Sequence, residues 1–324
     1  MKKVCFVLPD VELKPSSLFA AIEVFEMANE YCVRNGNRSF YEIKIAGFEP
    51  DRQLLNARVA IEVESIYDLP KPDLVIIPGI RIMNQHSIKQ NKELIDWITQ
   101  QYQGGSEIAS MCTGAFMLAA TNLLKGKECS THWRAENDFR ALFPDVKLRV
   151  DKIITDNSGI YTAGGATSSL NLMLYLVEKY NGREAAVYCA KVLQIDLDRN
   201  SQSQFVLFEG QKNHDDEEIR KVQLFIEKNL DEKITVGYLA DHFSIAKKSL
   251  VRRFKKATNN PPLEYIQRIK MEAAKRNLEH RRKTINEIMY SVGYTDEKAF
   301  RNVFKKITGL SPINYRNKFA RSEA

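Results

Sequence analysis

A segment near the end of this chain repeats itself at a fixed offset, and that repeat constrains the fold more than any other feature. Residues 253–265 read RFKKATNNPPLEY and residues 303–315 read VFKKITGLSPINY. Phe254, Lys255, Lys256, Thr258, Pro262 and Tyr265 recur fifty positions later as Phe304, Lys305, Lys306, Thr308, Pro312 and Tyr315. Six identities at one spacing imply a duplicated structural unit. Around each copy the pattern spells helix, tight turn, helix. Thr235 is placed to cap VGYLADHF, a turn follows near Phe243 to Ile245, and AKKSLVRRFKKA continues as the second helix. In the second copy Thr284 caps INEIMYSV, Gly293 supplies the turn and TDEKAFRNVFKKI follows. This is a helix-turn-helix, whose second helix suits the DNA major groove.

The step of about 100° between helical residues sorts each second helix into two faces. Leu250, Phe254 and Ala257, and in the second copy Phe300, Phe304 and Ile307, face inward. Lys248, Val251, Arg252 and Lys255 face outward, as do Lys298, Arg301, Asn302 and Lys305. Arg matches guanine O6 and N7, Asn matches adenine N6 and N7, and the two later lysines suit phosphates. PLEYIQRIKMEAAKRNLEH joins the copies, with Pro262 in a first helical turn. Some eighteen helical residues span about 27 Å, a stiff spacer able to set two helices into major grooves about 34 Å apart.

Length and charge place this pair in a larger plan. A chain of 324 residues suggests two domains. Residues 1–199 hold 23 Lys and Arg against 25 Asp and Glu, whereas residues 200–324 hold 25 against 16. A basic C-terminal part on a nearly neutral body fits a polyanion-binding module, and a solvated lysine-rich surface is the plain alternative. The expected division is 1–199, an exposed polar linker over 200–218, and a helical domain over 219–324. The linker ends in four acids that favour the N-terminus of IRKVQLFIEKNL. Cys5, Cys32, Cys112, Cys129 and Cys189 are odd in number and lack CxxC spacing, which suits reduced cytoplasmic thiols and neither disulfides nor a metal site. No apolar run is long enough for a signal peptide or membrane span.

Within residues 1–199, VCFVLP (4–9), YEIKIAGF (41–48), DLVIIPG (73–79) and SEIASMC (106–112) read as strands. Helices are expected at about 16–34, 91–103 and 113–124, and this βαβα rhythm predicts a doubly wound α/β sheet. Ligands in such sheets bind at the carboxyl ends of strands, here Pro78-Gly79 and Met111-Cys112-Thr113-Gly114. SEIASMC runs straight into TGAFMLAATNLL, a corner that would expose Cys112 over a helix N-terminus able to stabilise a thiolate. A small buried cysteine is the equal alternative. Downstream, ATSSLNLMLYLVEKY and REAAVYCAKVLQ form two helices, with Gly182 suited to the left-handed cap between them. Their apolar surplus fits either a dimer interface or burial against the sheet.

Two resemblances add to this reading. Glu23, the PG at 78–79, ASMCTGAF, STHW at 130–133 and YTAGGATSSLNLML make residues 1–195 similar to the class I glutamine amidotransferase-like fold, a flavodoxin-like α/β fold, in its PfpI-type branch. That resemblance implies Cys112, Glu23 and His132 as elbow residues and Glu23, Gly79, Cys112, Thr113 and His132 as a ligand site. Thr113 stands where protease-like relatives carry His, Pro78-Gly79-Ile80 replaces PGG, and Asn171 stands where related regulators often carry Asp. A packed histidine beside Trp133 is the plainer account of His132. Residues 219–318, with IxxIMxxVGYxDEKAFRNVFKK and ITGLSPINYR, resemble the AraC/XylS family of transcription regulators. Together the two resemblances imply a cytoplasmic transcription regulator that binds double-stranded DNA and uses its front domain to sense a small effector or to form a homodimer. They further imply RNA polymerase as a partner, in the manner of an activator, and no cofactor. A cysteine-elbow hydrolase or hydratase fused to a DNA-binding domain is the alternative.

Overall fold

The computed structural model describes residues 1–54, 58–81, 84–199, 201–280 and 282–320. It divides into one unit over Met1–Gln202 and another over Ser203–Ala324. The first unit opens with β1 (Lys2–Val7), α1 (Pro15–Arg34), β2 (Tyr41–Gly47), β3 (Asp51–Leu54), β4 (Val59–Glu62), β5 (Glu64–Ser65) and β6 (Leu74–Ile77). It continues with α2 (Gln85–Gln90), α3 (Lys92–Gln103), β7 (Glu107–Ser110), α4 (Ala115–Ala120), β8 (Glu128–Cys129), α5 (Glu136–Leu142) and β9 (Lys147–Leu148). It closes with β10 (Ile154–Asp156), β11 (Ile160–Ala163), α6 (Ser168–Asn181) and α7 (Arg183–Val192). Seven strands form one sheet in the order β10-β11-β7-β6-β1-β2-β5, parallel throughout except for β10 against β11.

That order is the flavodoxin-like one, and it puts the topological switch point between β1 and β6. The central strands are short apolar runs because both sheet faces are covered: Val4–Val7 and Leu74–Ile77 are all buried. The four strands and the first two helices expected from sequence are present near their predicted bounds. The third is shorter than expected: a 3-10 turn over Cys112–Gly114 leads into α4, which ends at Ala120. Asn122 follows with φ +63 and prevents further helix. Gly182 has the expected positive φ of 92, but its ψ of 166 makes it an extended turn and not a left-handed helical cap. Leu172, Met173, Leu176, Val177, Ala185 and Ala186 lie in this unit's core, so burial accounts for the apolar surplus of α6 and α7.

The second unit contains α8 (Glu217–Lys228), α9 (Val236–His242), α10 (Lys247–Thr258), α11 (Pro262–Glu279), α12 (Ile285–Ser291), α13 (Glu297–Thr308) and α14 (Pro312–Phe319). Each repeated residue has the same role in both copies. Phe254 and Phe304 are fully buried and meet Tyr265 and Tyr315 edge-on, with ring centroids 5.1 and 5.5 Å apart. Thr258 and Thr308 donate to the carbonyls of Phe254 and Phe304, both at 2.8 Å, and accept the N–H two residues on, both at 3.2 Å. Asn259 and Gly309 take the left-handed C-cap, and Pro262 and Pro312 start the next helix. Tyr265 and Tyr315 donate to Glu227 and Glu279 on the helix that begins each copy. α11 therefore closes the first copy and opens the second, giving Tyr265 and Ile266 to one core and Met271, Ala274 and Leu278 to the other.

The expected exposed linker differs in the structure. Asn200, its first residue, lies outside the described residues. Gln202 is buried in the first unit, and Phe208 is buried in the core with Tyr265 at a 5.4 Å ring separation. Composition made this stretch read as solvated, and Leu207 is indeed exposed, but Phe208 and the Gln202 amide are sequestered. The strap from Ser203 is held to α11 by a buried pair: Lys275 and Glu272, 3% and 9% exposed at the side chain, lie 2.8 Å apart. Lys275 also donates to Val206 O, and Glu272 accepts the Phe208 N–H. Lys275→Met strands a buried carboxylate and should destabilise the second unit by about 3 kcal/mol in urea unfolding followed by circular dichroism. Adding Glu272→Gln should recover part of the loss, whereas an unchanged midpoint in Lys275→Met contradicts the buried pair.

Candidate functional site

In the first unit a cleft of about 340 Å³ opens at the carboxyl ends of the strands, lined by Lys14, Ser17, Ala20, Cys112, His132 and Ser169 among others. Cys112 is 1% exposed and has φ +53, the strained backbone expected where a strand turns directly into a helix. Its sulfur accepts from Lys14 Nζ at 3.4 Å, and its carbonyl accepts from the Thr131 hydroxyl at 2.8 Å. Lys14 sits just before α1, and its own N–H donates to Gly79 O at 2.8 Å. Gly79 lies beneath the cleft between two of its walls: a Cβ there would stand 3.1 Å from Ser17 Oγ and 3.4 Å from Cys112 Cβ.

The remaining elbow expectations fare differently. Glu23 is exposed on α1 and is not among the residues lining the cleft. The α1 side chains that reach the cleft are one turn earlier, so the carry-over to Glu23 is corrected to Ser17 and Ala20 with Lys14 before them. Thr113 is buried and sews the elbow to the chain after β6, donating to Ile80 O and accepting Ile80 N–H at 3.0 Å, so it does not face a ligand. His132 lines the cleft, but its Nδ1 accepts the Arg134 N–H at 3.1 Å and its ring lies 5.5 Å from that of Trp133. Among the described residues no hydrogen bond joins His132 to Cys112. The cleft thus presents an imidazole, a sulfur touching the Lys14 side chain and several hydroxyls.

Burial, aided by nearby Lys14 and Arg134, pulls the His132 pKa down from 6.5 to about 4. The unfolded chain thus takes a proton below about 6.5 that the folded chain refuses until about 4, and stability falls with pH across that window. The thermal midpoint of His132→Asn should decline less steeply over the same range. Parallel slopes for the two proteins would contradict the burial of a neutral imidazole.

The second unit carries the other site. Lys248, Val251, Arg252 and Lys255 on α10 and Lys298, Arg301, Asn302 and Lys305 on α13 are all exposed. Leu250, Phe254, Phe300 and Phe304 are buried beneath them, while Ala257 and Ile307 are half-buried. Thr235 and Thr284 cap α9 and α12 as expected, the latter in a capping box with Glu287. Arg301 is held at the head of α13 by an i,i+4 pair with Glu297. Arg253 turns back to Asp216, which receives it at 2.6 and 2.9 Å while capping α8. The Arg253 guanidinium holds the Asp216 carboxyl below the usual carboxylate range.

Sequence reasoning missed Lys14, Ser17, Ser169 and the buried charges of α11. Lys14 had a usable signal, because the residues between β1 and α1 border the switch point in any sheet of this order.

A family model described as the DJ-1/PfpI family matches residues 17–179. The chain belongs to that family. This DJ-1/PfpI chain also carries an AraC-type helix-turn-helix domain, matched over residues 239–318. It is 24% identical over 302 residues to the HTH-type transcriptional regulator GbdR of Pseudomonas aeruginosa, a match spanning 93% of this chain and 80% of the relative. It is 28% identical over 131 residues to an isonitrile hydratase of Pseudomonas putida, spanning 40% of this chain and 54% of that enzyme. The crystal structure of a transcriptional regulator protein from Vibrio parahaemolyticus superposes with a TM-score of 0.52 at 24% identity, over 59% of this chain and 98% of that one, and shows the shared fold.

Proposed function

We propose that this chain is a sequence-specific DNA-binding transcription regulator of the cytoplasm, whose second unit holds double-stranded DNA and whose first unit takes a small effector in the cleft beside Cys112. The observation that carries the reading is the pair of matched, exposed, basic faces on α10 and α13, built on either side of one shared helix. Arg252, Arg301 and Asn302 read base edges, and Lys248, Lys255, Lys298 and Lys305 hold phosphates or the groove rim. Val251 supplies apolar contact, the kind of group that meets a thymine methyl. A second copy of the chain and RNA polymerase complete the set of partners.

The reading as a hydratase or hydrolase has less support. Among the described residues no hydrogen bond joins the Cys112 thiol to a histidine or carboxylate base: His132 Nδ1 accepts the Arg134 N–H, and Glu23 is exposed outside the cleft lining. The match to the hydratase also covers 40% of this chain, whereas the match to a regulator covers 93%.

Selection of bound DNA from a random pool by the full-length chain supplies the site on which this is tested. On that site Arg252→Ala and Arg301→Ala should each weaken binding by about 1 to 3 kcal/mol and relax preference at one base position. Lys255→Ala should weaken binding to every sequence alike and reduce the salt slope by about one. Retention of full base preference by both arginine variants contradicts the assigned reading faces, and an unchanged salt slope removes Lys255 from the phosphates.

A further inference from the structure

We infer that Gln202 is a positioning residue that transmits the state of the cleft to the paired heads. The inference rests on the reading of the cleft as the effector site. Gln202 is 1% exposed, and its side chain is engaged at both ends. Nε2 donates to Thr131 O at 2.9 Å and, at longer range, to Lys152 O at 3.3 Å, while Oε1 accepts the Gly165 N–H at 3.1 Å.

Both of its closest partners adjoin residues that line the cleft. Thr131 precedes His132 and bonds the Cys112 carbonyl. Gly165 precedes Ala166 and Thr167, which line the cleft, and has no room for a side chain: a Cβ would lie 2.3 Å from His132 Cδ2. A Cβ on Gly164 would lie 2.8 Å from Gln202 Nε2. Two glycines in a row thus let the His132 ring and the Gln202 amide press on consecutive residues of one turn.

On its other side Gln202 is followed directly in the chain by the strap of the second unit. Phe205 meets Phe319 edge-on at 5.8 Å, Lys275 binds Val206 O, and Glu272 binds the Phe208 N–H. Ser203 and Gln204 alone separate Gln202 from Phe205, three steps that reach at most about 11 Å when fully extended. A ligand that shifts Thr131 or Gly165 shifts Gln202. The strap carries that shift to α11, which both heads share.

The test uses the full-length chain, the selected DNA and fluorescence anisotropy, with Ala20→Phe as a substitution that fills the cleft. With the natural connection, Ala20→Phe should change DNA affinity by about fivefold or more. In a Gln202→Ala background the response should vanish. It should also vanish when Gly-Gly-Ser-Gly is inserted between Gln202 and Ser203, a change that keeps every bond of Gln202 and every strap contact while adding slack. Without Ala20→Phe, the inserted chain should bind DNA like the natural one. A response that survives the insertion overturns the inference and leaves the effector reading standing. The absence of any response in the naturally connected chain overturns the inference together with the reading of the cleft.

Discussion

One buried ammonium ties the two DNA-reading heads to each other. Lys270, in the middle of α11 and 4% exposed, donates to Glu232 O at 2.7 Å ahead of α9 and to Val292 O at 3.0 Å behind α12. The two carbonyls belong to different copies of the repeat. Burial pulls the Lys270 pKa below the usual lysine range, with Asp231 and Glu232 acting against it. Gly293 makes the contact available, since at its φ of +71 a Cβ would lie 2.6 Å from the ammonium. Rotating either head about α11 breaks a hydrogen bond of a buried ammonium and leaves its partners unsatisfied. The faces of α10 and α13 are therefore fixed relative to each other by chemistry as well as by the stiffness of an 18-residue helix.

The first unit uses its sheet differently. Its switch point gathers the start of α1, the elbow at Cys112, His132 and the turn after β11 into one cleft, which is where a sheet of this order accepts ligands. The elbow keeps the strained backbone of a strand-to-helix corner, with φ +53 at Cys112. Thr113 and Thr131 secure its backbone, Lys14 touches its sulfur, and the nearest imidazole is neutral and engaged elsewhere.

The heads were legible from sequence because their information is local. Phe254, Thr258, Pro262 and Tyr265 act within a few turns of one another, and the identical set fifty residues on repeats the same hydroxyl and edge-on ring contacts. The central strands were legible for a similar reason, as uninterrupted apolar runs. What stayed hidden depends on distant partners. Lys270, Glu272 and Lys275 read as the polar side of a helix until tertiary packing buries them against carbonyls and each other. The two-residue strands β5, β8 and β9 carry no period at all. Glu23 was carried over from a family pattern, and the cleft instead draws on the preceding turn of α1. Gln202 and Phe208 lay in a stretch whose composition argued for solvent, and only long-range hydrogen bonding and ring packing reveal their burial.

The fixed relation between the heads is tested most directly by changing the DNA. Affinity should be measured for the selected site and for derivatives with one to five base pairs inserted between its two groove segments. Heads locked to each other by Lys270 and α11 should lose most of their specific affinity for grooves about 34 Å apart after the first one or two insertions, and Lys270→Met should restore tolerance. Equal affinity across the insertion series would contradict the account, because it would mean that the two faces find their grooves independently.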